Sequence, residues 1–259
     1  MAKALLPKRP HKPRAGMSQS RHMIQGFPGA GKTTFANTWP KPVFLATEPG
    51  THLMTAAEVE IRSWADFMAV LDELEYTKHS FKTVVVDTVD NLYARCMETV
   101  CQDLGVQHVS DAPYKGWDML KQTWTKGIHR AAALRTKEGQ KLCPLFVGHT
   151  KLEPVRKRVD GRMVETGLTM HRSNLPGSGR GILHSAIDFL YAIDMDAEGM
   201  RWLITQPTDT GEARYEAKGR GTPDRMLPAR IPMDFGSLRD AFDNTFGSPT
   251  ADQGETSND

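Results

Sequence analysis

The run Gly26-Phe27-Pro28-Gly29-Ala30-Gly31-Lys32-Thr33 fits G-x-x-x-x-G-K-[ST] and constrains this chain more than any other stretch. Such a loop has to leave a strand and open a helix, because only that path gathers several backbone N–H groups around one point. The flanks comply. Arg21-His22-Met23-Ile24-Gln25 reads as a short strand, and Thr34-Phe35-Ala36-Asn37-Thr38-Trp39 as a helix ended by Pro40. The pattern implies ATP held by residues 26–34, that is Gly26, Phe27, Pro28, Gly29, Ala30, Gly31, Lys32, Thr33 and Thr34. Lys32, expected to stand exposed in a crevice, reaches the β- and γ-phosphates. Thr33 offers its hydroxyl to Mg²⁺, a cation that takes hard oxygens alongside phosphate and water.

Two further apolar runs end in acids. Val43-Phe44-Leu45-Ala46-Thr47, bounded by Pro42 and by Glu48-Pro49-Gly50, reads as a buried parallel strand. Glu48 then sits at the carboxyl end of that strand, where open α/β sheets place their ligands. Phe81-Lys82-Thr83-Val84-Val85-Val86-Asp87-Thr88 is a β-branched run that reads as a Walker B strand, with Asp87 assigned to the Mg²⁺ water shell. Thr88 follows where many ATPases carry a glutamate base. The base therefore has to come from elsewhere: Glu48 by topology, with Asp90 as the alternative. A later strand, residues 141–150, ends in His149-Thr150, and His149 reads either as a γ-phosphate sensor or as a strand-end cap.

Ser63 caps a helix on which Phe67, Val70, Leu71 and Leu74 form one apolar stripe. Residues 89–104 are helical up to Gly105, and residues 115–134 form a second long helix. Tyr114, Trp117 and Trp124 there are either core or a base-stacking platform. Beyond His149, residues 151–158 and 163–170 alternate about Val159-Asp160-Gly161-Arg162, a hairpin pattern. Residues 151–180 hold seven Lys or Arg (Lys151, Arg156, Lys157, Arg158, Arg162, Arg172, Arg180) against three acids, and 175–181 read as a flexible glycine-rich loop. This insertion is either a solvated hairpin or a DNA-binding element beside the nucleotide crevice. Residues 187–194 and 201–205 read as strands paired through a turn at Glu198-Gly199, and 236–246 as a closing helix.

Charge is uneven along the chain. Eight basic residues precede the first acid, Glu48, and Pro7, Pro10 and Pro13 make the start an extended basic arm. Asp252, Glu255 and Asp259 stand without a basic residue in 248–259, a composition that reads as disordered. The expected division is therefore an arm over 1–20, one ATPase domain over 21–246 and an acidic tail over 247–259. No apolar run approaches the ~20 residues that span a bilayer, so no membrane role and a cytoplasmic location are expected. Cys96, Cys101 and Cys143 form no CxxC pair and read as small buried residues of a reducing compartment.

Taken in order, the phosphate loop, FLATE, VVVDTVDNL, LFVGHT and AKGR resemble the core of RecA-like recombinases, most nearly the phage-encoded RecA-like ATPases that anneal single strands. The resemblance runs from Met23 to Pro232, although only the phosphate loop is specific on its own. It implies an α/β RecA-like P-loop NTPase core, a mostly parallel sheet flanked by helices, with the basic hairpin as an insertion. It implies that Glu48 activates water, that His149 senses γ-phosphate, and that Lys218 and Arg220 reach a neighbouring subunit's nucleotide. It further implies single-stranded DNA as partner, a homo-oligomeric ring or filament, and a single-strand binding protein or exonuclease as companion. His149 departs from the glutamine of RecA itself. Two other readings stand beside it: an ATP-gated DNA-binding assembly protein with little hydrolysis, and a P-loop small-molecule kinase, which would need a lid arginine that no segment marks.

Overall fold

The computed structural model describes residues 16–208, 213–222 and 225–247. Among the described residues ten strands and six helices follow in order: β1 His22–Gly26, α1 Lys32–Asn37, β2 Pro42–Ala46, β3 Ala57–Glu60, α2 Trp64–Tyr76, β4 Thr83–Asp87, α3 Val89–Leu104, α4 Lys115–Ala133, β5 Cys143–Val159, β6 Arg162–Ser173, α5 Gly177–Ala186, β7 Phe189–Met195, β8 Arg201–Ile204, β9 Ala213–Tyr215, β10 Arg230–Pro232 and α6 Phe235–Phe246. The main sheet runs β10-β8-β7-β1-β5-β4-β2-β3. Strands β7, β1, β5, β4, β2 and β3 are parallel to one another, while β8 and β10 add an antiparallel edge. The chain is thus an α/β protein with a mostly parallel sheet flanked by helices.

Both faces of the sheet are covered, which is why its strands are continuously apolar rather than alternating. Met23, Val84, Val86 and Phe146 point to one layer with Phe67, Leu92 and Trp124 from α2, α3 and α4. Ile24, Val85, Leu145 and Tyr191 point to the other, with Phe35 of α1 and Phe242 of α6. Capping agrees with the sequence. Ser63 and Asp66 form a reciprocal capping box on α2, and Gly105, in the left-handed region at φ 66°, closes α3. The three cysteines are buried and unbridged, and burial pushes the Cys96 and Cys143 thiols up to about 12.

Several expectations change. Residues 175–181 are not a flexible loop, for 177–186 form α5. Gly179 is there for closeness, because a Cβ would lie 2.6 Å from Tyr93 Cε2, and its carbonyl accepts from Trp124 Nε1 at 3.1 Å. Trp124 is therefore core, whereas Tyr114 is 87% exposed. The fold also begins before residue 21: Met17 is buried and its carbonyl bonds the ring of buried His22 at 2.8 Å. Residues 1–15 of the arm and 248–259 of the tail lie outside the described residues. Finally, β5 does not stop at Thr150. It continues to Val159 and pairs with β6 through Asp160 and Gly161, both at positive φ, and β6 in turn pairs with β9.

Candidate nucleotide site

Sheet order builds the site. Because β5 lies between β1 and β4, the carboxyl ends of β1, β4 and β2 and the point where β5 leaves the parallel sheet deliver the phosphate loop, Asp87, Glu48 and His149 to one cleft. The register aligns Gly26 with His149, Asp87 with Val147 and Ala46 with Asp87. Gly29 and Gly31 take φ 78° and 89°, backbone that a side chain would strain, and Thr34 is exposed on the first turn of α1. Phe27, Pro28 and Gly29 are exposed at the loop tip, Phe27 edge-on to His171 at 5.4 Å.

Lys32 is not exposed. Only 6% of its surface is accessible, and its Nζ donates to the carbonyls of Gly26 and Phe27 at 3.0 Å each. Burial lowers its pKa, against the pull of Asp87, Glu48 and Asp90. Thr33 Oγ1 donates to Asp87 Oδ2 at 2.7 Å, which puts two hard oxygens side by side, and burial raises the Asp87 pKa. Among the described residues no group of three His, Cys, Asp or Glu could cage a metal. One hydroxyl and one carboxylate fit Mg²⁺, which takes few protein ligands and completes its shell with phosphate and water.

Glu48 is held at one oxygen and faced by His149 at the other. Oε2 accepts from Asn91 Nδ2 at 2.8 Å, and Oε1 lies 3.6 Å from His149 Nε2. Asp90, the alternative base, is turned away from that task. Its Oδ2 accepts from the backbone N–H of His149 at 2.7 Å and from Nδ1 at 3.1 Å. Asn91 was not singled out by sequence reasoning, although polar residues opening a helix just past a strand-end Asp were a signal. Arg201 of β8 gave none: only tertiary structure lays its guanidinium over Gly31, 3.7 Å from where a Cβ would be.

Outside the cleft, the expected cations fare differently. Lys151, Arg172 and Arg180 converge on Glu153 at 2.8, 3.1 and 4.0 Å, and Arg156 pairs with Glu165 at 3.0 Å. The hairpin base thus neutralises much of its own charge. At the tip Lys157 and Arg162 have no ion pair among the described residues, and Arg158 contacts only the Gly161 carbonyl. Lys218 and Arg220, expected to reach a neighbouring subunit's nucleotide, both have partners within their own chain. Lys218 Nζ donates to the carbonyls of His184 and Ile187, capping the end of α5, and Arg220 Nε lies 2.6 Å from Asp188. That contact lies at the start of β7, which pairs with the start of β1, so both residues sit at the opposite end of the sheet from the phosphate loop.

Comparison with known proteins agrees with this geometry. Residues 18–220 match the family described as AAA domain. Over 93 residues the chain is 31% identical to the SPbeta prophage-derived uncharacterized protein YorG of Bacillus subtilis (strain 168). That stretch is 34% of this chain and 29% of the relative, so the likeness spans under a third of the relative's length.

Proposed function

Because the chain belongs to the AAA domain family and is an AAA-type P-loop ATPase domain, we propose that it is a DNA-stimulated ATPase that binds single-stranded DNA and promotes its annealing, in the manner of RecA-like phage proteins. One observation carries the proposal: β5 holds His149 in the nucleotide cleft and, without a break in the chain, forms one arm of the basic hairpin. A strand shared by both sites is a physical reason for DNA and ATP to influence each other.

Lys32 leaves the Gly26 and Phe27 carbonyls to meet the β- and γ-phosphates, a short move for a flexible side chain with its charge already in the loop. Thr33 and Asp87 would hold Mg²⁺, which when bound would neutralise charge on the phosphate oxygens. Glu48 accepts the proton of the attacking water, and Asn91 fixes the carboxylate through Oε2. General-base assistance of this kind contributes ~10²–10⁴ in rate. Arg201, beside Gly31, adds a cation at the loop's outer edge. DNA phosphates meet Lys157, Arg158 and Arg162 at the hairpin tip. Arg220, exposed at the far end of the sheet, is the cation of its segment able to meet a second copy in a ring or filament.

Turnover measured with and without single-stranded DNA tests the reading. Stimulation supports it. Turnover that is unchanged by saturating DNA defeats the DNA-linked part, and phosphoryl transfer to a small acceptor in place of water would make the protein a kinase.

A further inference from the structure

We infer that Asp90 is a positioning residue that fixes the tautomer of His149 and turns it into a cationic donor beside Glu48, an inference that rests on the ATP-hydrolysing reading above. Asp90 stands in the first turn of α3, and its side chain is only 10% exposed. The same oxygen, Oδ2, takes both the backbone N–H and ring Nδ1 of His149. Two bonds to one buried carboxylate oxygen leave the imidazole little freedom to swing. Gly148 keeps α3 close enough for this, since a Cβ there would lie 2.9 Å from Met23 Cε and 3.3 Å from Val89 Cγ2.

A carboxylate can only accept, so His149 must carry a proton on Nδ1 in either charge state. Nε2 is then the atom that changes, and it faces Glu48 Oε1 at 3.6 Å. In the neutral ring two lone pairs oppose each other across that gap. In the cation an N–H faces the carboxylate and the cleft. A glutamine would donate there at every pH, whereas this histidine donates only when protonated. The charged groups around it are Asp90 from α3, Glu48 beyond β2, Asp87 at the end of β4 and Lys32 from α1. The pKa of His149 is raised, first by the bond to Asp90, while burial and Lys32 oppose the rise. The sign follows. A group whose folded pKa is raised keeps its proton to higher pH, so the donor is present below that pKa and hydrolysis declines as pH climbs through it.

The test reads the ring directly in nucleotide-free protein, by an NMR titration of His149 with nitrogen shifts to report the tautomer. Asp90→Asn keeps an acceptor for the backbone N–H but removes the charge. The expected result is a pKa lower by about one unit or more, a Nδ1–H tautomer lost from the neutral ring, and an alkaline decline of kcat that moves to lower pH by the same amount. His149→Gln, which needs no protonation, should lose that alkaline decline while binding Mg-ATP normally. An unchanged titration in a folded Asp90→Asn protein overturns the inference, and so does a shifted titration with an unmoved kcat profile. If Asp90→Asn does not fold, the His149→Gln profile decides: retention of the wild-type alkaline decline overturns the inference. A wild-type protein that shows the Asp90-dependent titration but hydrolyses no ATP supports the clamp and sinks the ATPase reading instead.

Discussion

The nucleotide cleft and the hairpin tip are both polar, yet they handle charge in opposite ways. In the cleft, Lys32, Asp87, Asp90 and His149 are largely withdrawn from water and each meets a partner at 2.7–3.1 Å. Burial lowers the pKa of Lys32 and raises that of Asp87, while the bond to Asp90 raises that of His149. On the hairpin, Arg156 and Glu165 pair while both remain more than half exposed, and Met163 is 63% exposed beside them. Exposed pairs of that kind contribute little to stability. The contrast teaches that the number of charges in a segment says less than where each is satisfied. Four of the hairpin region's seven cations are answered by carboxylates nearby, and the three left over lie at the tip.

Lys32→Ala should have the largest effect. ATP turnover should fall to background because the loop loses its only buried cation, and the freed Gly26 and Phe27 carbonyls should cost some thermal stability. A folded variant that turns over ATP normally would break the assignment of the cleft. Glu48→Gln comes next, with a loss of ~10²–10⁴ in kcat and nearly unchanged ATP affinity, since the amide keeps the shape and removes the basic oxygen. If Asp90→Asn abolishes turnover and Glu48→Gln does not, the wrong carboxylate has been named.

On the hairpin, the Lys157→Ala/Arg158→Ala/Arg162→Ala triple variant should flatten the salt dependence of single-strand binding by about 2 in log–log slope, at about 0.7 for each phosphate no longer neutralised. The same slope in wild type and triple variant would move the DNA site off the tip. The smallest effect belongs to Lys151→Ala. It should leave the slope unaltered and lower stability by less than about 1 kcal/mol, read from denaturant midpoints, because Glu153 keeps Arg172. A salt slope reduced as much as in the tip variant would erase the distinction between base and tip.

Much of the core was legible in the sequence because its signals are local. The phosphate loop, the apolar strands ending in Glu48 and Asp87, the Ser63 cap and the Asp160-Gly161 turn each depend on neighbours in the chain. What escaped depends on distant partners. Residues 175–181 read as a loop because glycine usually breaks helices, yet Tyr93 needs the small size of Gly179 and Trp124 its carbonyl. Arg201 belongs to the cleft only because β8 folds back beside β7. Glu153 collects three cations only through the register of β5 with β6 and the placement of α5. Lys218 read as a cation for a neighbouring subunit because its acceptors are main-chain carbonyls, which no residue identity announces.

The length of β5 has a mechanical consequence. Its first seven residues pair with β1, with β4 or with both, and the remaining ten extend roughly 30 Å at the usual strand rise. A tension applied along the tip therefore loads the ladder in shear, stretching its hydrogen bonds together rather than peeling them one by one. Shear is the direction in which a sheet yields last. The ladder with β6 shifts register between Pro154 and Arg156, and pull along the strand passes on to the stretch that carries His149.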